Sequence, residues 1–189
     1  MKNTNAGCVI WLTGLSGSGK SSIASGLKRA LLKLGKPACI LDGDKVRRGL
    51  CSDLAFSPPD RKENVRRIGE VAKLFADAGI ICIVALISPY GSDRQTARST
   101  VEAGRFIEVY VNAPIEVCEQ RDRKGLYARA RAGRLKAFTG VSAPYEPPEK
   151  PEIELHTDKL TITKSVTKIL DYLKKPARGK GAGFFRLLP

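Results

Sequence analysis

The sequence predicts an α/β fold in three layers, a mostly parallel sheet with helices on both faces. Three observations carry that expectation. Short apolar runs rich in β-preferring residues alternate with segments of helical period, the pattern that crossover helices impose on a parallel sheet. The run Ile80 to Ile87 is apolar throughout, as a strand buried on both faces is. The 189 residues are enough for one domain with a core of ordinary size, not for two.

Taken in order, Cys8-Val-Ile-Trp-Leu12 reads as a buried first strand running into a Gly-rich turn. Lys20 to Leu34 places Ile23, Leu27, Ala30, Leu31 and Leu34 at helical spacing, and Gly35 and Pro37 stop it. Ala38 to Leu41 is a second strand ending in Asp42-Gly43-Asp44, and Lys45 to Cys51 a short helix. Ser57-Pro58-Pro59-Asp60 opens a longer helix, with Val65, Ile68, Val71, Ala72 and Phe75 as its buried stripe, and Gly79 ends it. After the third strand, Ile80 to Ile87, a helix is expected over Asp93 to Gly104, a fourth strand over Phe106 to Val111, and a helix over Pro114 to Arg121 with Pro at its first position. Leu126 to Phe138 is basic and helix-compatible. Four prolines between Ser142 and Pro151 require an extended loop. Ile153 to Leu155 and Leu160 to Ile162 are expected as edge strands, and Thr163 to Leu173 as the last helix. The domain is expected to span 1–175, with a mobile, Gly-rich basic tail over 176–189.

Composition narrows the function. No apolar run approaches the roughly 18 residues of a membrane span, so no membrane association is expected. The start lacks the apolar stretch of a signal peptide. Five widely spaced cysteines with no CxxC pair speak against a disulfide scaffold or a zinc site and suit a reducing cytoplasm. The net charge of +14 predicts attraction to polyanions or to anionic small molecules. The basic residues are spread rather than blocked, so two classes stay open: a nucleic-acid binder, or an enzyme with strongly anionic substrates.

Gly14-Leu-Ser-Gly-Ser-Gly-Lys20-Ser21 matches GxxxxGK[ST] in full and lies between a strand and a helix start, where a phosphate-binding loop belongs. Glycines let backbone N–H groups meet phosphate oxygens, and the helix N-terminus adds a favourable dipole. Lys20 is placed to reach the β- and γ-phosphates, and the Ser21 hydroxyl to join Mg²⁺. The third strand ends Leu86-Ile87-Ser88-Pro89 without an acid, unlike mechanical NTPases; the second ends Asp42-Gly43-Asp44, as in P-loop kinases of small molecules.

Further motifs carry a resemblance: Ile10-Trp-Leu-Thr-Gly-Leu-Ser-Gly-Ser-Gly-Lys-Ser21, Asp42-Gly-Asp, Asp60-Arg61-x-x-Asn64, Ile68-Gly-Glu-Val-Ala-Lys-Leu-Phe-Ala-Asp-Ala-Gly79, Ile87-Ser-Pro-Tyr90, Lys124-Gly-Leu-Tyr127 and Phe138-Thr-Gly140. In this order, from about Gly7 to Leu173, the chain resembles the adenylylsulfate kinase (APS kinase) family of the P-loop NTPase fold. The resemblance implies phosphorylation of the 3′-hydroxyl of adenosine 5′-phosphosulfate (APS) by MgATP, giving PAPS and ADP. It implies ATP binding by Gly14, Leu15, Ser16, Gly17, Ser18, Gly19, Lys20, Ser21, Ser22 and Arg121, with Ser21 and Asp42 toward Mg²⁺. It implies APS binding by Asp44, Lys45, Val46, Arg47, Phe56, Arg61, Asn64, Ile87 and Ser88, under a basic lid bearing Lys124, Ala137 and Phe138. It also implies a homodimer and functional coupling to ATP sulfurylase.

The residue types suit that acceptor. An aromatic base carrying a phosphosulfate needs a stacking ring, offered by Phe56, and guanidinium forks, offered by Arg47 and Arg61; Asn64 lies one helical turn after Arg61 on the same face. Taken alone, Phe56 would more often serve as a helix staple than as a stacking ring, and the arginines as solvated surface charges. His156 reads as a surface residue. Asp44, next to Arg47, is assigned the acceptor hydroxyl as base, and Asp42 a metal-shell role, on the expectation that strand geometry persists and leans both acids to one side. Ser88 is expected to contact the acceptor rather than carry phosphate covalently. Four residues depart from the family's usual pattern: Lys45 for Asn, Ser22 for Thr, Asn112 for Asp and Ala128 for Lys. Against a nucleic-acid binder, the chain lacks an aromatic-interleaved basic sheet or a recognition-helix signature.

Overall fold

The computed structural model describes residues 7–174; the expected tail over 176–189 lies outside them. Five strands, β1 (Val9–Thr13), β2 (Ala38–Asp42), β3 (Ile81–Ala85), β4 (Phe106–Asn112) and β5 (Ile153–His156), form one sheet in the order β2-β3-β1-β4-β5. Every pairing is parallel. The helices are α1 (Lys20–Lys33), α2 (Gly43–Val46), α3 (Pro58–Asp77), α4 (Gly91–Ser99), α5 (Ile115–Gln120), α6 (Leu126–Arg131) and α7 (Ile162–Leu173).

Strand alternation divides the core into two layers. Ile10, Leu12, Ile83, Val109 and Val111 meet Ile23, Leu27 and Leu31 of α1 and Val166, Ile169 and Leu173 of α7. Val9, Trp11, Cys82, Val84 and Phe106 meet Val65, Ile68 and Ala72 of α3 and Ala97 of α4. Each fully buried Leu or Ile contributes roughly 2 kcal/mol of transfer free energy, so these two layers hold the sheet. A third, smaller cluster of Ala113, Cys118, Tyr127, Ala130 and Phe138 lies apart from both.

Strand order reverses at β1, which has β3 on one side and β4 on the other. Ligands of open parallel sheets bind at the carboxyl ends of strands at such a reversal, and the glycine-rich loop sits there.

Some boundaries differ from expectation. Leu160 to Ile162 is not a strand: the Thr161 hydroxyl accepts the Lys164 N–H at 3.2 Å and caps α7. The basic segment is helical only to Arg131, because Gly133 takes a left-handed φ of +70° and ends α6. The helix expected over Lys45 to Cys51 is instead the single turn of α2, and α4 runs from Gly91 to Ser99. Pro114 precedes α5 as its N-cap rather than opening it.

Candidate active site

The phosphate loop leaves β1 at Gly14. Its φ of +150° is hard for other residues, and a Cβ there would lie 2.4 Å from the Val111 carbonyl oxygen. Gly17, at φ +78°, would likewise press a Cβ to 2.7 Å from the Cys118 carbonyl oxygen. The loop is thus seated tightly between β4 and α5, and Gly19 hands it to α1. Lys20 is buried; its Nζ donates to the Gly14 and Leu15 carbonyls at 2.8 and 2.6 Å. Burial lowers its pKa to about 8, against the opposing pull of Cys118, Asp42 and Asp44. On the exposed rim, the Ser21 hydroxyl donates to Asp42 Oδ2 at 2.7 Å, while Ser22 faces solvent.

Arg121 donates to the Thr157 carbonyl at 2.8 Å, and the Thr157 hydroxyl donates to the Ser18 carbonyl at 2.8 Å. Arg121 is therefore tied to the phosphate loop through the turn after β5, which the sheet order brings beside β4 and β1.

The two acids do not share a continued strand. The chain turns into α2 at Gly43, and Asp42 Oδ1 caps that turn by accepting the Asp44 N–H at 3.1 Å. Asp42 therefore faces Ser21, whereas Asp44 is exposed and pairs with Lys124 of the lid. Lys45 is exposed; the Val46 side chain packs into the α3/α4 core, so it has only its backbone for a ligand. Arg47 is not beside Asp44 either. Its guanidinium lies 4.3 Å from the Phe56 ring centroid and donates to the Leu54 and Ala55 carbonyls.

Phe56 is more than half exposed, at 54%. It occupies the staple position before the Ser57 cap of α3, but its helical partner there is Arg61, whose guanidinium lies 5.7 Å from the ring. Arg61 is buried and donates to both the Phe56 carbonyl (2.9 Å) and the Ala137 carbonyl (2.8 Å), joining the ring to the lid. Asn64, one turn on, is buried with no protein partner for Oδ1. An orphaned buried amide oxygen costs about 1–3 kcal/mol, a cost that a ligand donor would remove.

The lid is α6 and the segment to Phe138. Asp122 anchors it by accepting the Leu126 and Tyr127 N–H groups at 2.9 and 2.7 Å. Phe138 packs edge-on against Tyr127, at 4.9 Å between centroids, and the Tyr127 hydroxyl donates to the Ser16 carbonyl of the phosphate loop at 2.9 Å.

Ser88 is buried at φ +39°. Its hydroxyl accepts the Trp11 indole N–H and donates to Thr13 Oγ1, both at 3.0 Å. Thr13 gives its own proton to the Ile87 carbonyl at 2.7 Å, so it accepts from the Tyr145 hydroxyl at 3.0 Å. The Ser88 proton is thus committed inside the fold. Trp11, Thr13, Tyr127 and Tyr145 are additions to the site: the first three lie within the motifs that carry the resemblance but have no role assigned from sequence, and Tyr145 lies in the proline-rich loop.

A phosphate loop at the strand-order reversal, an acid-ended second strand and a basic lid facing an aromatic and arginine-lined cleft define a P-loop kinase of small molecules. The family model described as adenylylsulphate kinase matches residues 6–156. The chain belongs to the adenylylsulfate kinase family. It is 56% identical to the adenylyl-sulfate kinase of Marinobacter nauticus over 89% of this chain and 84% of that one. Among solved structures it is similar to the APS kinase of Mycobacterium tuberculosis in complex with AMPPNP and APS, with a TM-score of 0.86 and 43% identity over 90% of this chain and 99% of that one. It is also similar to a hexameric APS kinase from Thiobacillus denitrificans, with a TM-score of 0.69 and 35% identity over 90% of this chain and 29% of that one.

Proposed function

We propose that the chain transfers the γ-phosphoryl group of ATP to the 3′-hydroxyl of APS, giving PAPS and ADP in sulfate assimilation. The observation that carries this reading is Arg61, one buried guanidinium holding the carbonyls of Phe56 and Ala137 and so assembling a ring-lined, cationic acceptor cleft under the lid. That cleft opens beside the acids that follow β2.

Residues of the phosphate loop, Gly14 to Ser22, hold the ATP phosphates, with Lys20 against the β- and γ-oxygens and Arg121 on the nucleotide side. Mg²⁺ fits the Ser21–Asp42 pair: both donors are hard oxygens, bonded at 2.7 Å. No cluster of three or more His, Cys, Asp or Glu able to hold a metal occurs among the described residues, and few protein ligands are what Mg²⁺ bound with phosphates requires. When bound, the ion neutralises charge on the transferring phosphates. Phe56 and Phe138 bracket the adenine of APS; Arg47, Arg61, Asn64, Lys124 and the backbone at Lys45, Val46, Ile87 and Ala137 take its polar groups. Asp44 receives the proton of the 3′-hydroxyl as that oxygen bonds to the γ-phosphorus and the bond to the β-bridging oxygen breaks, releasing ADP. On acceptor binding, before the transfer, Lys124 exchanges Asp44 for the phosphosulfate, which frees Asp44 to serve as base.

The reading extends to a cytoplasmic protein that acts as a homodimer and is coupled to ATP sulfurylase, which would deliver APS. No helix among the described residues is long and apolar enough to cross a membrane. ADP release that depends on added APS tests the proposal, with the acceptor's 3′-hydroxyl as its sharpest variable.

A further inference from the structure

Among the described residues, two non-glycine residues have positive φ, Ser88 at +39° and Ala137 at +52°. Such backbone costs on the order of 1–3 kcal/mol and persists only where its surroundings over-determine it. Both belong to the acceptor cleft, one on its floor and one on its lid. Each has its carbonyl held by a buried guanidinium: Ala137 by Arg61 at 2.8 Å, Ser88 by Arg94 at 2.8 Å. Arg61 is absorbed by the acceptor reading. Arg94, on α4, is not.

Arg94 is 4% exposed and spends its fork on three separate segments. Nε donates to Glu108 Oε1 of β4 at 2.8 Å, Nη1 to the Ser88 carbonyl, and Nη2 to the Glu146 carbonyl at 2.9 Å. Glu146 lies on the return limb of the lid. Its N–H donates to the Pro89 carbonyl at 2.8 Å, and its carboxylate accepts the Gly91 N–H at 2.6 Å. Next to it, Tyr145 bonds Thr13, which bonds Ser88. The turn after β3 and the limb after the lid are therefore stitched together, with Arg94 at the junction. A planar fork is needed to reach two carbonyls and a carboxylate at once; an ammonium cannot reproduce that spread.

We propose that Arg94 is a positioning residue for the acceptor. It fixes the spacing between the Ser88 floor and the return limb at Glu146, which follows the lid residues Ala137 and Phe138 in the chain, without touching either substrate. The loop that binds ATP lies against Val111 and Cys118 and is bonded by Thr157 and Tyr127, none of which is a hydrogen-bond partner of Arg94. Loss of the fork should therefore act on one substrate and not the other.

The inference rests on APS being the acceptor, and the test separates the two. APS-dependent ADP release by the wild-type chain is the control; its absence would refute the acceptor reading itself. Given that control, Arg94→Lys should raise the KM for APS by about 10-fold or more while the KM for ATP stays within about 2-fold. Trp11, the chain's one tryptophan and the donor to Ser88, should shift its fluorescence emission, with far-UV circular dichroism unchanged. Should Arg94→Lys fail to fold, Glu108→Gln keeps both carbonyl bonds but weakens the anchor, and should raise the APS KM alone by about 2- to 5-fold. Equal rises for both substrates, or no rise for APS, would overturn the assignment.

Discussion

Asp42 and Asp44 are two residues apart and do different work, because the backbone turns between them. Asp42 caps α2 and accepts a hydrogen bond from the Ser21 hydroxyl; Asp44 projects into solvent toward Lys124. That division follows from the cap rather than from the strand alternation expected from sequence, and the proposed roles, Asp42 toward the donor phosphates and Asp44 toward the acceptor, rest on it. Asp44→Asn keeps the shape and removes the charge. It should lower kcat by about 10²-fold or more with ATP affinity nearly unchanged, as steady-state kinetics would measure; activity within a few-fold of wild type would move the base to Asp42. Lys20 makes a separate, pH-dependent statement. With its pKa lowered to about 8 by burial, it loses its proton as pH rises through that value. Phosphate oxygens favour the charged form, so nucleotide binding near pH 8 should take up about half a proton, and almost none at pH 6. Calorimetry in buffers of different ionisation enthalpy reads this directly. An uptake that persists in Lys20→Met would assign it to another group.

At the scale of elements, what was legible in sequence is what chemistry fixes locally. The phosphate loop, the stop at Gly35 and the Ser57 cap each depend on residues within a few positions. Phe56, Arg61 and Asn64 could be grouped from sequence because a single helix start carries them, and their proposed role came from the family resemblance rather than from the residues alone. Lid and floor were not. Leu126 to Phe138 keeps a helix-compatible pattern throughout, and only the left-handed Gly133 ends α6 early. The short apolar run at Leu160 to Ile162 looks like a strand, but Thr161 caps a helix there. The Trp11–Ser88–Thr13–Tyr145 network joins residues 75 to 132 positions apart, and Arg94 bonds main-chain carbonyls that any residue type supplies. No periodicity records such pairings. The lid's own cluster is separate from the two sheet layers, so it should loosen alone. Asp122→Ala removes both bonds to the start of α6, at a cost of roughly 1–2 kcal/mol. The APS KM should rise several-fold while the thermal midpoint falls by only about 2–4 °C or less. A collapse in thermal midpoint would show that the lid is integral to the global core.

For the whole molecule, the sheet order sets the phosphate loop against β4 and α5 on one side of β1's end and the proposed acceptor cleft over β2 and β3 on the other. The net charge of +14 suits the proposed meeting of two polyanionic nucleotides in one crevice, with Lys20, Arg47, Arg61, Arg121 and Lys124 as its proposed cationic lining. The proposed reaction delivers the γ-phosphoryl group to one oxygen of APS. ADP release, measured with APS, with an APS analogue lacking the 3′-hydroxyl, and with no acceptor, tests it. Rapid release is expected with APS, accompanied by a new 3′-phosphate in the product, and only background release in the other two. Comparable release with the 3′-deoxy analogue, or release unaffected by APS, would contradict it.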